Sequence, residues 1–513
     1  MNRSALPVVT LVVLTGLVML AFRPVSGSSR DDRMPDGDDV SEVRIVEPQS
    51  PFPLLALWSP ADWRDSRKLL QPVDPLTLEP QPGYEPLELD PGRPGGYIEQ
   101  TVSPDGTQAV FVSHTPGELQ ARGQALVHLV DLAAWEVSFL AQWETPFGSS
   151  NPARPRFSAD GKTLYWFERE PLVFGEWRLI AYDVDSSATR SVATLPADFS
   201  IHEYREAARG DEIAVLGVRV QKGLALPDGG SVSGEYTLGS AEVLLINVSD
   251  GSIEETLELD GVVAGSLALT DLEGDGFPVH NVFPGVAWSD AGSRLYVAHA
   301  DDSRLTIVDL ERRSVDEQFE LAGAASILDR LSTWLMPSAQ AVARQFSLGH
   351  VAVLGDGERL VVAMNQERLG LNRTDVEALI HSPVRLVDIE DGDVLWEAEL
   401  GGVRGLMTTP EGRHVLAHTY PRILPFNAEE QTEPQRLTLL DGATGEIVRQ
   451  VDLPGYPTAI LDASIQTNNF IYIRISGAGG SETLVIDPLS LEVVGGWQWE
   501  EGESSIFRLI PLP

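Results

Sequence analysis

The chain has 513 residues, 43% of them hydrophobic, with 76 acidic against 37 basic side chains and a formal charge of -39. That charge repels phosphate backbones and anionic surfaces, which argues against nucleic acid as a partner, and it keeps the protein soluble. With no cysteine in the chain, disulfides, thiolate metal sites and a cysteine nucleophile are excluded.

Arg3 precedes an uncharged apolar run from Ala5 to Phe22, and the small residues Val25, Ser26 and Gly27 that follow suit cleavage after Gly27. The run is also long enough to span a bilayer. Residues 1–27 are therefore expected to be a signal peptide or a membrane anchor. The protein is expected to be exported, extracellular or in the cell envelope, and to touch a membrane only through this segment. Residues 28–53 are polar, acidic and proline-bearing, and read as a disordered linker.

From about residue 97 the sequence settles into seven units. The clearest runs from Gly285 to Leu321 and reads as four short strands, Val286 to Ser289, Arg294 to His299, Leu305 to Leu310 and Val315 to Leu321. A polar turn separates the first two strands of each unit: Ser103-Pro104-Asp105-Gly106, Ser158-Ala159-Asp160-Gly161, Ala208-Arg209-Gly210-Asp211, Ser289-Asp290-Ala291-Gly292, Gly355-Asp356-Gly357, Pro410-Glu411-Gly412 and the degenerate Gln466-Thr467-Asn468-Asn469. A glycine free to take positive φ beside an aspartate that bonds its own backbone is what a tight hairpin needs. A second marker keeps step: the third strand of each unit ends near Asp131, Asp183, Asn247, Asp309, Asp388, Asp441 or Asp487, where the side chain can cap the turn into the outermost strand.

These recurring motifs resemble the YVTN- and WD-type β-propeller repeats over roughly residues 97–499, although no unit carries a Trp-Asp pair at the end of its third strand. The resemblance implies an all-β ring of four-stranded blades around a central channel, filling residues 54–513. Leu54 to Pro60, Lys68 to Asp74 and Glu85 to Leu89 read as three strands of one further blade, and Ser505 to Leu512 as its innermost strand. Support comes from an internal echo, since Pro72-Val73-Asp74-Pro75-Leu76-Thr77-Leu78-Glu79 matches Val485-Ile486-Asp487-Pro488-Leu489-Ser490-Leu491-Glu492. That count gives eight blades, with seven as the alternative if the N-terminal segment packs outside the ring.

In such a ring, first-to-second and third-to-fourth turns share one face. The long excursions all fall on the other: Arg219 to Ser240, Gln366 to Ser382 and Thr419 to Pro434 within units, Asp260 to Pro284 and Ala322 to Gly349 between them. Ala324 to Phe346 carries apolar residues at helical spacing on either side of Pro337 and is expected to form two short helices. Asp271-Leu272-Glu273-Gly274-Asp275-Gly276 resembles a calcium loop, making Asp271, Glu273 and Asp275 candidate ligands, although Val279 and Val282 stand where further oxygens would be expected. His414 and His418 lie on an expected strand, about 13 Å apart, too far for one ion. No nucleophile elbow, phosphate loop or dinucleotide motif occurs, so no catalytic or cofactor-binding residue is singled out.

The function expected from these features is that of an exported, monomeric binding or interaction module, meeting a protein or small-molecule ligand on the loop-rich face. The alternative is a propeller enzyme, lactonase- or lyase-like, with residues converging at the channel mouth.

Overall fold

The computed structural model describes residues 51–59, 68–89, 97–115, 123–145, 153–170, 176–225, 231–268, 279–289, 292–300, 303–321, 342–355, 357–370, 376–381, 383–409, 412–419, 435–453, 456–462, 470–477, 480–499 and 505–512. The signal or anchor segment, the acidic linker and the calcium-like loop lie outside these residues.

All regular structure among the described residues is β. The chain opens with β1 (Leu54–Ser59), β2 (Leu69–Pro72) and β3 (Leu87–Glu88), then forms one antiparallel sheet from β4 (Tyr97–Val102), β5 (Gln108–Thr115), β6 (Gly123–Asp131) and β7 (Glu136–Thr145). The next sheet holds β8 (Arg156–Phe157), β9 (Thr163–Arg169), β10 (Trp177–Asp183) and β11 (Ala188–Leu195). After it come β12 (Phe199–Glu206), β13 (Glu212–Arg219), the separate hairpin β14 (Gln221–Ala225) and β15 (Ser231–Tyr236), then β16 (Gly239–Asn247), β17 (Ile253–Ala268) and β18 (Val279–Phe283). A further four-stranded sheet consists of β19 (Gly285–Trp288), β20 (Arg294–Ala298), β21 (Arg304–Asp309) and β22 (Ser314–Glu320). It is followed by β23 (Val342–Val353), β24 (Arg359–Gly370), β25 (Val376–His381), β26 (Val384–Asp388) and β27 (Val394–Ala398). Two more four-stranded sheets complete the run: β28 (Val403–Thr408), β29 (His414–Thr419), β30 (Arg436–Asp441), β31 (Ile447–Asp452), then β32 (Tyr456–Asp462), β33 (Ile471–Gly477), β34 (Gly480–Ile486), β35 (Val493–Trp499). Finally β36 (Ser505–Pro511) returns to pair antiparallel with β1, giving the order β3-β2-β1-β36.

The architecture is a β-propeller, but with six separate four-stranded blades, not the eight or seven expected from the repeats. Six four-stranded sheets stand alone, while β12-β13-β16-β17 and β23-β24-β26-β27 belong to one ten-stranded sheet. The cause is β18, which pairs antiparallel with the end of β17 (Gly265↔Val282 to Ala268↔Val279) and parallel with the start of β23 (Val279↔Arg344 to Phe283↔Leu348). Backbone groups that two isolated blades would leave at their edges are paired across the gap instead.

Alternation along each strand sends successive side chains to opposite neighbours. In β1, Leu55 and Leu57 join Ile98, Phe111 and Val130 of the following sheet, whereas Leu54, Ala56 and Trp58 join Tyr472 and Val485 of the preceding one. The same division repeats round the ring. The β19–β22 sheet packs one face on Ala214, Leu216 and Val218 and the other on Leu360, Val362 and Val387, so the ten-stranded sheet embraces it from both sides. Each fully buried leucine or isoleucine in these clusters contributes about 2 kcal/mol from apolar burial.

Turns explain why the repeats were visible. The first-to-second turns share one hydrogen bond, Gly106 N to Ser103 O, Gly161 N to Ser158 O and Gly292 N to Ser289 O, each 2.9 Å. At the third-to-fourth turns, an Asp or Asn side chain accepts the amides that follow it, as Asp441 Oδ1 does from Ala443 and Thr444 at 3.0 and 2.9 Å. The residue four places on takes positive φ in every case: Leu78, Trp135, Ser187, Gly251, Arg313, Gly392, Gly445 and Leu491.

The expected helices are replaced, where the chain is described, by strand. Val342 to Phe346 opens β23, paired on both sides by β18 and β24, and residues 322–341 lie outside the described part. Other excursions also become β structure: Arg219 to Ser240 holds the β14–β15 hairpin, and Gln366 to Ser382 holds the end of β24 and β25. Residues 420–434 lie outside the described residues.

Candidate functional site

The innermost strands are β36, β4, β8, β12, β19, β23, β28 and β32, each at one end of its strand order or, for β23, at the junction with β18. Counting back four residues from the start of each first turn reaches one layer of this inner wall. Ser103, Ser158, Ala207, Ser289 and Leu354 open such turns, and Leu512, whose amide reaches Pro53 O at 3.2 Å, holds the same place in the closing sheet. The layer therefore reads, in ring order, Arg508, Glu99, Arg154, Glu203, Gly285 and His350. Glu99, Glu203 and Arg508 on their strands and Arg154 just before β8 make the charge alternate over four neighbouring sheets, and the next carries bare backbone.

Hydrogen bonds join this layer from strand to strand. Arg508 Nη1 donates to Ile98 O at 3.1 Å and to Gln100 Oε1 at 2.9 Å. Glu99, only 7% exposed, accepts the Ala153 amide on Oε1 at 2.8 Å and the Arg154 amide on Oε2 at 2.6 Å, and its Oε1 lies 2.8 Å from His114 Nε2. Arg154 donates to His202 O and lies 3.7 Å from Glu203, whose other oxygen is bonded by Arg156. Tyr204 donates its hydroxyl to Arg154 O and to Tyr165 O, the latter at 3.0 Å, and its ring receives the Arg156 guanidinium at 5.9 Å. Arg154 itself has φ of 50°. A non-glycine residue held there costs about 1 kcal/mol or more and persists because surrounding contacts over-determine it.

Two histidines of the inner wall, His202 and His350, and His418 on the second strand β29 are neutral at pH 7. His202 stacks on Phe283 with ring centroids 6.3 Å apart, and its Nε2 lies 3.4 Å from Pro284 O. Burial, helped by the Arg154 charge, lowers its pKa to about 4. Burial also lowers His350 and His418 to about 4, His418 being held by Gln435 at 2.9 Å. Glu206 is shifted upward by burial although the Ala159 amide bonds its carboxylate at 2.8 Å.

Beyond the channel, β17, β18, β23, β24 and β25 build a platform at the end of the ring opposite the tight turns. Gly349 lets β23 cross the neighbouring blade, because a Cβ there would stand 2.4 Å from Gly285 N and 2.6 Å from Ala298 O. Arg219 anchors the base of the β14–β15 hairpin through Glu242 at 2.6 Å and Asp198 at 3.0 Å. Thr237 ties the hairpin to the platform: its amide donates to Ser266 O at 2.9 Å and its hydroxyl accepts from Ser266 N at 3.0 Å. Ser266 in turn donates to Asn281 Oδ1 at 2.7 Å.

Of the residues picked from sequence, Asp271, Glu273 and Asp275 fall outside the described residues, and His414 and His418 sit on β29. Among the described residues no group of three or more histidine, aspartate and glutamate side chains is arranged to hold a metal. The inner-wall layer was missed because its members come from separate repeats and make no linear motif. Their common offset from each first turn was the signal that could have revealed them.

No family model matches the sequence, and no curated protein matches it. Among solved structures the chain is similar to dihydro-heme d1 dehydrogenase NirN in complex with DHE, at 13% identity and a TM-score of 0.48, covering 91% of this chain and 77% of that one. An oligogalacturonate lyase in complex with manganese aligns at 12% identity and a TM-score of 0.41 over 87% of this chain and 99% of the other. The β-propeller domain of the Trilobed protease from Pyrococcus furiosus aligns at 10% identity and a TM-score of 0.33 over 76% and 81%. The resemblance to YVTN- and WD-type repeats thus goes no further than the propeller architecture, and no functional conclusion rests on these similarities.

Proposed function

We propose that the protein is an exported binding module whose ligand, a protein or small molecule, is met at the loop-bearing end of the ring. One observation carries this reading. The described excursions are not loose insertions; they form a platform of paired strands and a hairpin, all at one end, while the opposite end has tight turns. Ordered structure added to one face of a rigid scaffold is how recognition surfaces are built. Export rests on residues 1–27, and calcium at Asp271, Glu273 and Asp275 is proposed from the motif alone. Titration with Ca²⁺ should give saturable heat that Asp271→Asn together with Asp275→Asn removes; equal heat in that variant would refute the calcium site.

To test the binding reading, the protein is screened against secreted proteins, peptides and glycans, and each hit is footprinted by hydrogen exchange. Protection is expected in residues 231–236, 263–268, 342–348 and 376–381. Protection confined to the tight-turn end would sink it. A propeller enzyme remains the second reading, favoured by the buried contact of 2.8 Å between Glu99 on the innermost strand β4 and His114 on β5, a carboxylate against an imidazole as in many general bases. Turnover of lactone or polysaccharide substrates, abolished by His114→Gln, would decide for it.

A further inference from the structure

We infer that the outer rim carries a second, independent binding surface, the free edge of β35, and that it takes an extended basic peptide by strand addition. β35 ends the order β32-β33-β34-β35, so among the described residues no strand pairs with its outer edge. An unpaired edge offers a row of amides and carbonyls to any extended chain, and proteins guard such edges with charges or by keeping them short. The other outermost strands, β3, β7, β11, β17, β22, β27 and β31, each carry a charged residue, and β3 is only two residues long. β35 reads Val493-Val494-Gly495-Gly496-Trp497-Gln498-Trp499 and carries none.

A groove of about 370 Å³ runs beside this edge, lined by the consecutive residues Val494 to Gln498 and by Leu76, Thr77 and Glu79 of the closing sheet. Side chains alternate across a strand, so residues in an unbroken row face one groove only where it follows the backbone edge. Both walls are fixed before any ligand arrives. Gly495 lets the turn of the closing sheet come close, since a Cβ there would stand 2.2 Å from Leu76 O. The Tyr472 hydroxyl donates to Pro75 O at 3.2 Å, Leu78 is buried, and the Trp497 ring meets that of Trp58 edge to face at 6.0 Å. A preformed edge avoids the ordering cost that weakens peptide binding. Backbone pairing selects an extended peptide, and the groove beside the edge selects alternate side chains. Leu76 and Val494 are exposed and apolar, and Glu79 is the charged residue among those lining the groove, so the segment that fits alternates apolar with basic residues. The formal charge of -39 favours a basic partner and opposes a second copy of this chain.

The test is calorimetric titration of the full chain with a capped octapeptide of alternating lysine and valine, followed by hydrogen exchange of the complex. Saturable binding is expected, with slowed exchange in residues 494–498, a range separate from the platform. The same peptide methylated at every backbone nitrogen should not bind, because it has no amide to donate to the edge. Val494→Lys, which sets a guarding charge on the edge, should weaken binding about tenfold, and Glu79→Gln about threefold, the loss of one exposed charge pair. Val448→Lys, the same change at an exposed position of β31, should leave binding unchanged. No saturable binding, equal binding of the methylated peptide, or equal weakening by Val494→Lys and Val448→Lys overturns the inference. So does a dimer that forms with rising protein concentration and is abolished by Val494→Lys, which would assign the edge to a second copy.

Discussion

Gly445 has φ of 71°, and a Cβ on it would lie 2.6 Å from the Trp396 ring of the preceding sheet. Gly445→Ala therefore meets both backbone strain and a clash, and should lose about 2–4 kcal/mol in urea unfolding. Ser187, in the same place of another turn with φ of 57°, is exposed, so Ser187→Gly should be neutral or stabilise by up to about 1 kcal/mol. pH acts at this scale too. His418 is 4% exposed and its pKa falls from 6.5 to about 4 on folding, so between those values the unfolded chain binds more protons and stability drops as pH falls. The loss should reach about 3 kcal/mol at pH 4 and be flattened in His418→Gln. Asp74, Asp183, Asp441 and Asp487, held below the ordinary carboxylate value by hydrogen bonds, stabilise above about pH 4 and cease to do so as pH falls further.

At the scale of elements, the turns were legible because an Asp that caps its own backbone is a local event. The echo between residues 72–79 and 485–492 corresponds to two turns of one geometry, with Asp74 and Asp487 as acceptors and Leu78 and Leu491 at positive φ. Leucine is unexpected there, but both side chains are buried, 0% and 3% exposed, and packing outweighs the local cost. The excursions were misread for the opposite reason. Ala339, Val342, Ala343 and Phe346 have helical spacing, yet β18 and β24 flank this segment from distant positions and recruit its C-terminal part into strand. Local periodicity cannot register a non-local partner. The platform should consequently be separable from the ring. Val282→Pro removes an amide from β18 and should cost residues 265–268 and 344–348 their hydrogen-exchange protection while β20 and β21 keep theirs; a global loss would show that the platform is part of the core.

On the scale of the molecule, recurrence in the sequence exposed the repeats and the all-β architecture, but not that two of them merge, because β18 belongs to neither repeat pattern. The inner wall was equally hidden, since charge alternation from Arg508 to Glu203 exists only once the strands stand side by side. Closure depends on β36, whose Ile506 and Leu509 pack toward one neighbour and Ile510 toward the other. Leu509→Ala should cost about 2–5 kcal/mol, more than an equivalent truncation at exposed Val494. Hydrogen exchange of the full chain with and without a protein, peptide or glycan that binds it is the most direct measurement of where the ring receives a ligand. Recognition on the platform predicts slowed exchange in residues 231–236, 263–268, 342–348 and 376–381; slowing confined to the tight-turn end, such as residues 103–106 and 158–161, contradicts it.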